Sequence, residues 1–125
     1  MINFIIDTSN ETIFLKIINN GKEYINNINN SRENFDELVN IIFNFLHKNN
    51  INLSKIDNIF INRGPGKFTS IRSAISIVKA LKISKNINIY GFDSGQITNN
   101  NYNILIKLLK EGRLTKNFIE PKYLN

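Results

Sequence analysis

Three places in this 125-residue chain combine residue types that could do chemistry. The first is Asn62-Arg63-Gly64-Pro65-Gly66-Lys67-Phe68-Thr69-Ser70-Ile71-Arg72, where glycines precede a lysine and a possible helix. A phosphate-cradling loop requires G-x-x-x-x-G-K-[ST], because loop amides and the lysine hold the phosphate oxygens. Counting back from Gly66-Lys67 puts Ile61 at the first glycine position and Phe68 at the hydroxyl position, so the pattern fails twice. What remains is a β-to-α turn: Pro65 fixes φ, and the glycines on either side let the backbone reverse and approach a neighbour closely. The second place is Asp7-Thr8-Ser9, a carboxylate beside two hydroxyls. It is either a phosphate-type turn that has degenerated or an Asx turn closing a hairpin, and the structural reading is preferred. The third is the pair Asp7 and Asp93, which at neighbouring strand ends could serve a two-metal nuclease. Such a site wants a third acid, and only Glu111 offers one. His47, the sole histidine, stands beside Lys48 near a helix end and reads as either a solvated residue or a partner of the helix dipole. No metal site and no cofactor are expected.

The elements that must position these residues follow from periodicity and turn chemistry. Residues 2–6 and 12–18 are apolar, β-rich runs, and Asn19-Asn20-Gly21-Lys22 is the strongest hairpin signal in the chain, leading into a more polar strand over 23–28. Asn30-Ser31-Arg32-Glu33 resembles a capping box, which predicts one helix over 33–47. Its apolar residues, from Phe35 to Leu46, cover roughly 200° of the circumference, more than one core face needs. Residues 59–61 form a fourth strand, 68–83 a second helix, 87–92 a fifth strand and 103–112 a short helix ending at Gly112. The order βββαβαβα implies an α/β fold: a single ribonuclease-H-like or actin-like (ASKHA) lobe with a mixed five-stranded sheet. The helix over 103–112 and the tail over 119–125 would complete it.

At this length one domain is expected, too small for a two-lobed actin-type ATPase. There is no cysteine, hence no disulfide framework and no thiolate metal site. No apolar run approaches a membrane span and Met1 leads directly into strand-like sequence, so a soluble, cytoplasmic protein is expected. Charge is unevenly placed: residues 1–62 carry five Lys/Arg against seven Asp/Glu, and residues 63–125 carry eleven against three, halves of −2 and +8 in a chain of net charge +6. A basic half suits tRNA phosphates or an acidic partner. Abundant Lys, Asn and Ile together are equally what an AT-rich genome writes into any protein.

Arg63-Gly64-Pro65-Gly66-x-Phe68-Thr69-x-x-Arg72, followed by a helix carrying Lys79-Ala80-Leu81, resembles the signature of the TsaB family. Pro121-x-Tyr123-Leu124 is similar to that family's tail, with Asn125 in place of the usual Arg. The resemblance implies a non-catalytic, actin-like partner of TsaD, the enzyme that makes threonylcarbamoyladenosine in tRNA. It also implies a wider complex with the ATPase TsaE and only indirect or weak contact with tRNA. The second lobe usual between the two ends is missing, which reads as an internal deletion, and without it no ATP hydrolysis is expected. Lys67 and Ser70 replace a small polar residue and a glycine of the family pattern, and Phe92-Asp93-Ser94-Gly95 departs from its apolar continuation. TsaD itself needs a metal-binding histidine pair after the fifth strand, where this chain has Ser94-Gly95-Gln96-Ile97.

The second helix presents two faces. Ile71, Ile75 and Val78 form a bulky stripe for the sheet, whereas Ser73, Ser76, Ile77 and Ala80 are mostly small and permit close helix approach. The expected partner contact comprises Phe68, Ser73, Ala74, Ile77 and Ala80, with Arg72 at the rim. A homodimeric binding module would use the same faces.

Overall fold

The computed structural model describes residues 1–116 and 119–122. β1 (Ile2–Asp7) pairs antiparallel with β2 (Thr12–Asn19), which pairs antiparallel with β3 (Lys22–Asn29). Between β2 and β3, Asn20 and Gly21 take φ of 50° and 87°, the two positive angles that a type I′ turn demands. β4 (Asn58–Asn62) lies parallel to β1, and β5 (Asn88–Phe92) parallel to β4. A last strand, β6 (Thr115–Lys116), adds antiparallel to β5, so the sheet runs β3-β2-β1-β4-β5-β6. Among the described residues the sheet has six strands where five are expected from the sequence. β6 has two residues, too few to leave an alternating pattern.

Along β1, Phe4 and Ile6 belong to one core cluster and Ile5 to another; β4 divides Ile59 and Ile61 from Phe60 in the same way. Both faces of the central strands are therefore covered, which is why those strands read as unbroken apolar runs. The first face is covered by α2 (Leu38–Lys48) through Leu38, Ile42, Phe45 and Leu46, and by α3 (Phe68–Ser84) through Ile71, Ala74, Ile75 and Val78. The second is covered by α4 (Ile104–Lys110), whose Leu105 and Leu108 meet Phe60 and Phe92. α4 ends at Gly112, where φ is 68° and the Gly112 and Arg113 amides donate back to the carbonyls of Leu109 and Leu108.

The helix expected over 33–47 is two helices. α1 (Arg32–Asp36) stops at Glu37, whose φ and ψ of −101° and 16° separate it from α2. Its cap is Ser31, not Asn30: the Ser31 hydroxyl accepts from the Asn34 amide at 3.2 Å. Asn30 is engaged elsewhere, its side-chain amide donating to the carbonyls of Thr8 and Asn10, each at 3.0 Å. That ties the entry of α1 to the β1–β2 turn.

Candidate partner interface and the turns that set it

The Gly-Pro-Gly turn is a packing device. A Cβ added to Gly66 would lie 2.5 Å from the Ser9 carbonyl oxygen and 2.7 Å from the Ser9 Cβ, so only glycine fits. The next amide, of Lys67, donates to the same carbonyl at 2.9 Å. Asn62, wholly buried at the end of β4, locks the turn from below: its Oδ1 accepts from the Gly64 amide at 2.7 Å, and its Nδ2 donates to the Ser9 hydroxyl at 3.0 Å. Opposite, the Ser94 hydroxyl donates to the Pro65 carbonyl at 2.6 Å. The Gly64-Pro65 peptide is cis, and Gly64 has φ of +107°. Of the signature residues, Arg63 turns to Asp93 at 2.7 Å, Phe68 opens α3 at the surface, and Thr69 is exposed beside it.

Asp7-Thr8-Ser9 is the other half of that packing. All three residues are buried. The amide and hydroxyl of Ser9 both donate to Oδ1 of Asp7, at 2.9 and 2.6 Å, which is the geometry of an Asx turn. Oδ2 of Asp7 accepts from the Tyr102 hydroxyl at 2.7 Å. Burial, and then the charge and hydrogen bond of Asp7, push the Tyr102 phenol well above its ordinary pKa. Tyr102 also stacks on Phe14, with centroids 4.3 Å apart. Sequence reading overlooked Tyr102, which stands in the polar stretch before α4; a lone aromatic among asparagines was the available signal.

On the far side of α3 lies an open groove of about 460 Å³ between α3 and the α1–α2 pair, lined by Phe35, Leu38, Val39, Phe68, Arg72 and Ile77, among others. Val39, Phe43 and Phe68 are 46, 41 and 41 % exposed, a high value for such side chains. The Arg72 guanidinium sits over the Phe68 ring, 5.5 Å from its centroid. Ser73 and Ile77 are half-buried along the groove, and Ala80 is exposed further along α3. Ala74 is not available for a contact: it is 1 % exposed and belongs to the core. Its spacing of three from Ile71 and four from Val78 puts it in the sheet-facing stripe.

A sequence model of the family described as "TsaD: tRNA N6-adenosine threonylcarbamoyltransferase" matches residues 23–108. The chain belongs to that family. Among solved structures it resembles YeaZ from Pseudomonas aeruginosa, with a TM-score of 0.68 and 25 % identity over 74 % of this chain and 43 % of that one. A second structure, described as an uncharacterized protein with similarity to peptidase YEAZ from the same organism, matches with the same values. This is a TsaB-like chain with the ASKHA-type fold, spanning less than half the length of the YeaZ structures it matches. It also shares its fold with T. thermophilus RuvC in complex with Holliday junction substrate, at a TM-score of 0.62 and 9 % identity over 94 % of this chain. No curated protein matches it in sequence.

The carboxylates of this TsaB-like chain that a nuclease reading would use are each engaged separately. Asp7 serves Ser9 and Tyr102, Asp93 pairs with Arg63 and Lys122, and Glu111 pairs with Arg113 at 3.5 Å. Among the described residues no three His, Cys, Asp or Glu side chains are grouped to hold a metal ion, and no helix is long and apolar enough to cross a membrane. Of the tail motif, Pro121 is described, while Tyr123, Leu124 and Asn125 lie outside the described residues.

Proposed function

We propose that this chain is a non-catalytic scaffold in the formation of threonylcarbamoyladenosine beside the tRNA anticodon, docking through the groove between α2 and α3 onto a TsaD-like protein. The observation that carries the reading is the pairing of family membership with a surface left open on two neighbouring helices. Phe68, Val39 and Phe43 supply exposed apolar area, and the small residues Ser73 and Ala80 let a partner helix come close. A standard specific interface buries roughly 800 Å² per partner, which two helix faces of this length can supply. Arg72, already stacked on Phe68, sits where a rim cation would set orientation.

A catalytic role finds less support, because the turn that would face a nucleotide is filled by its own chain: Gly66 presses on Ser9, and Asp7 is taken by Ser9 and Tyr102. A TsaE-like ATPase would join the assembled pair, and tRNA would be met indirectly or weakly. Co-purification with the TsaD-like protein of the same genome tests the proposal. A one-to-one complex that is lost when Ser73 or Ala80 becomes Glu supports it; a complex indifferent to both changes moves the contact elsewhere. If the chain instead forms a homodimer sensitive to the same substitutions and captures no TsaD-like protein, it is a self-pairing module.

A further inference from the structure

We propose that Ile119 and Lys122 of the terminal strap, with Asp93, are positioning residues that hold the Gly-Pro-Gly turn, and through it the first turn of α3, in the register the partner groove requires. Contacts made by residues distant in sequence converge here. Ile119 is wholly buried in the core cluster that also holds Ile71 and Ala74 of α3. It occupies the space above Gly91 of β5, where an added Cβ would fall 3.1 Å from two Ile119 carbons and 3.3 Å from the Arg63 Cδ. The Lys122 amide donates to the Arg63 carbonyl at 2.6 Å, and the Lys122 carbonyl lies 2.9 Å from the position a Cβ on Gly64 would take. The Lys122 ammonium donates to Oδ2 of Asp93 at 2.9 Å, while the Arg63 guanidinium donates to Oδ1 at 2.7 Å.

Asp93 thereby binds both ends of the strap's landing site with one carboxylate. It also anchors the neighbouring turn: its backbone amide donates to the Gln96 side-chain oxygen at 2.8 Å, and the following Ser94 amide donates to the Gly64 carbonyl at 2.9 Å. Two of the glycines that look like freedom in the sequence, Gly64 and Gly91, are seats for the strap. Gly66, three residues from Arg63, is the seat for Ser9 on the opposite side. The turn is therefore held between Ser9 and the strap, and it runs straight into Phe68 and Arg72, which line the groove. Loosening one side leaves the first turn of α3 anchored on the other alone.

That the strap governs partner binding rests on the scaffold reading; that it governs the turn does not. Hydrogen exchange on the full chain separates the two. In Lys122→Gln combined with Ile119→Val, exchange at the amides of Gly64, Lys67 and Ile71 should rise about tenfold, while the β1–β2 ladder keeps its protection. Lys122→Arg in the same Ile119→Val background should restore most of the wild-type protection, which a mere loss of tail packing would not predict. Binding to the TsaD-like protein should weaken with the first variant and return with the second. Unchanged exchange at the turn, or a rise spread evenly over the sheet, overturns the proposal. A turn that loosens while the wild-type chain captures no TsaD-like protein would uphold the strap and reject the scaffold.

Discussion

The Gly-Pro-Gly turn and the groove between α2 and α3 are a few residues apart in sequence and are finished in opposite ways. At the turn, Asn62 takes Gly64 and Ser9, Asp7 takes Ser9 and Tyr102, and glycine is required for backbone contact; among the buried side-chain polar atoms of the described residues only the Thr8 hydroxyl lacks a hydrogen-bond partner. At the groove, Phe68 and Val39 remain more than one-third exposed, as does Phe43 one turn further along α2, and small side chains along α3 leave room. The lesson is that a motif suggestive of ligand chemistry can be spent on internal packing, while the open surface nearby is lined by apolar and small side chains with Arg72 among them.

Substitutions should separate the two regions by size of effect. Gly66→Val drives a side chain into the Ser9 backbone, which cannot yield as a flexible side chain can, and should cost about 3 kcal/mol or more in denaturant unfolding. Asp7→Ala leaves the buried Tyr102 hydroxyl and the Ser9 donors without their acceptor and should cost about 2 kcal/mol by the same measurement. A smaller effect belongs to Asp93. Burial alone would raise its pKa, but the hydrogen bonds from Lys122 and Arg63, and then their charges, outweigh burial and hold it below the ordinary 3.8. The stability this contributes is present above the unfolded pKa and is lost as pH falls through the lowered folded value. Asp93→Asn should remove that acid-limb loss and cost about 1 kcal/mol or less at neutral pH, since the pair is part-exposed. Least affected should be Phe43→Ser on the open face of α2, within about 0.5 kcal/mol of the parent. If Phe43→Ser proved as damaging as Asp7→Ala, that face of α2 would be core and the contrast would fail.

Much of this arrangement was legible because local chemistry and tertiary structure agree. Asn20-Gly21 set the hairpin through backbone angles that few other residues tolerate, and the unbroken apolar runs of β1 and β4 announced strands covered on both faces. Where sequence reading failed, a distant partner had overridden a local preference. Asn30 looks like a helix cap but is claimed by the carbonyls of Thr8 and Asn10, twenty-odd residues earlier, so Ser31 caps instead. Ala74 looks like a small contact residue but completes a core stripe with Ile71 and Val78. Tyr102 and Ile119 were missed because each is a single buried side chain in a stretch without periodicity, and one residue makes no pattern. The same limit hid β6.

The groove is the centre of the account, and titration calorimetry of the TsaD-like protein against Ala80→Glu tests it most directly, with the parent chain alongside. The parent should bind and the variant should lose at least about a hundredfold in affinity, a loss of roughly 2.7 kcal/mol, while its melting temperature stays at the parent value. Equal affinity for parent and variant would contradict it.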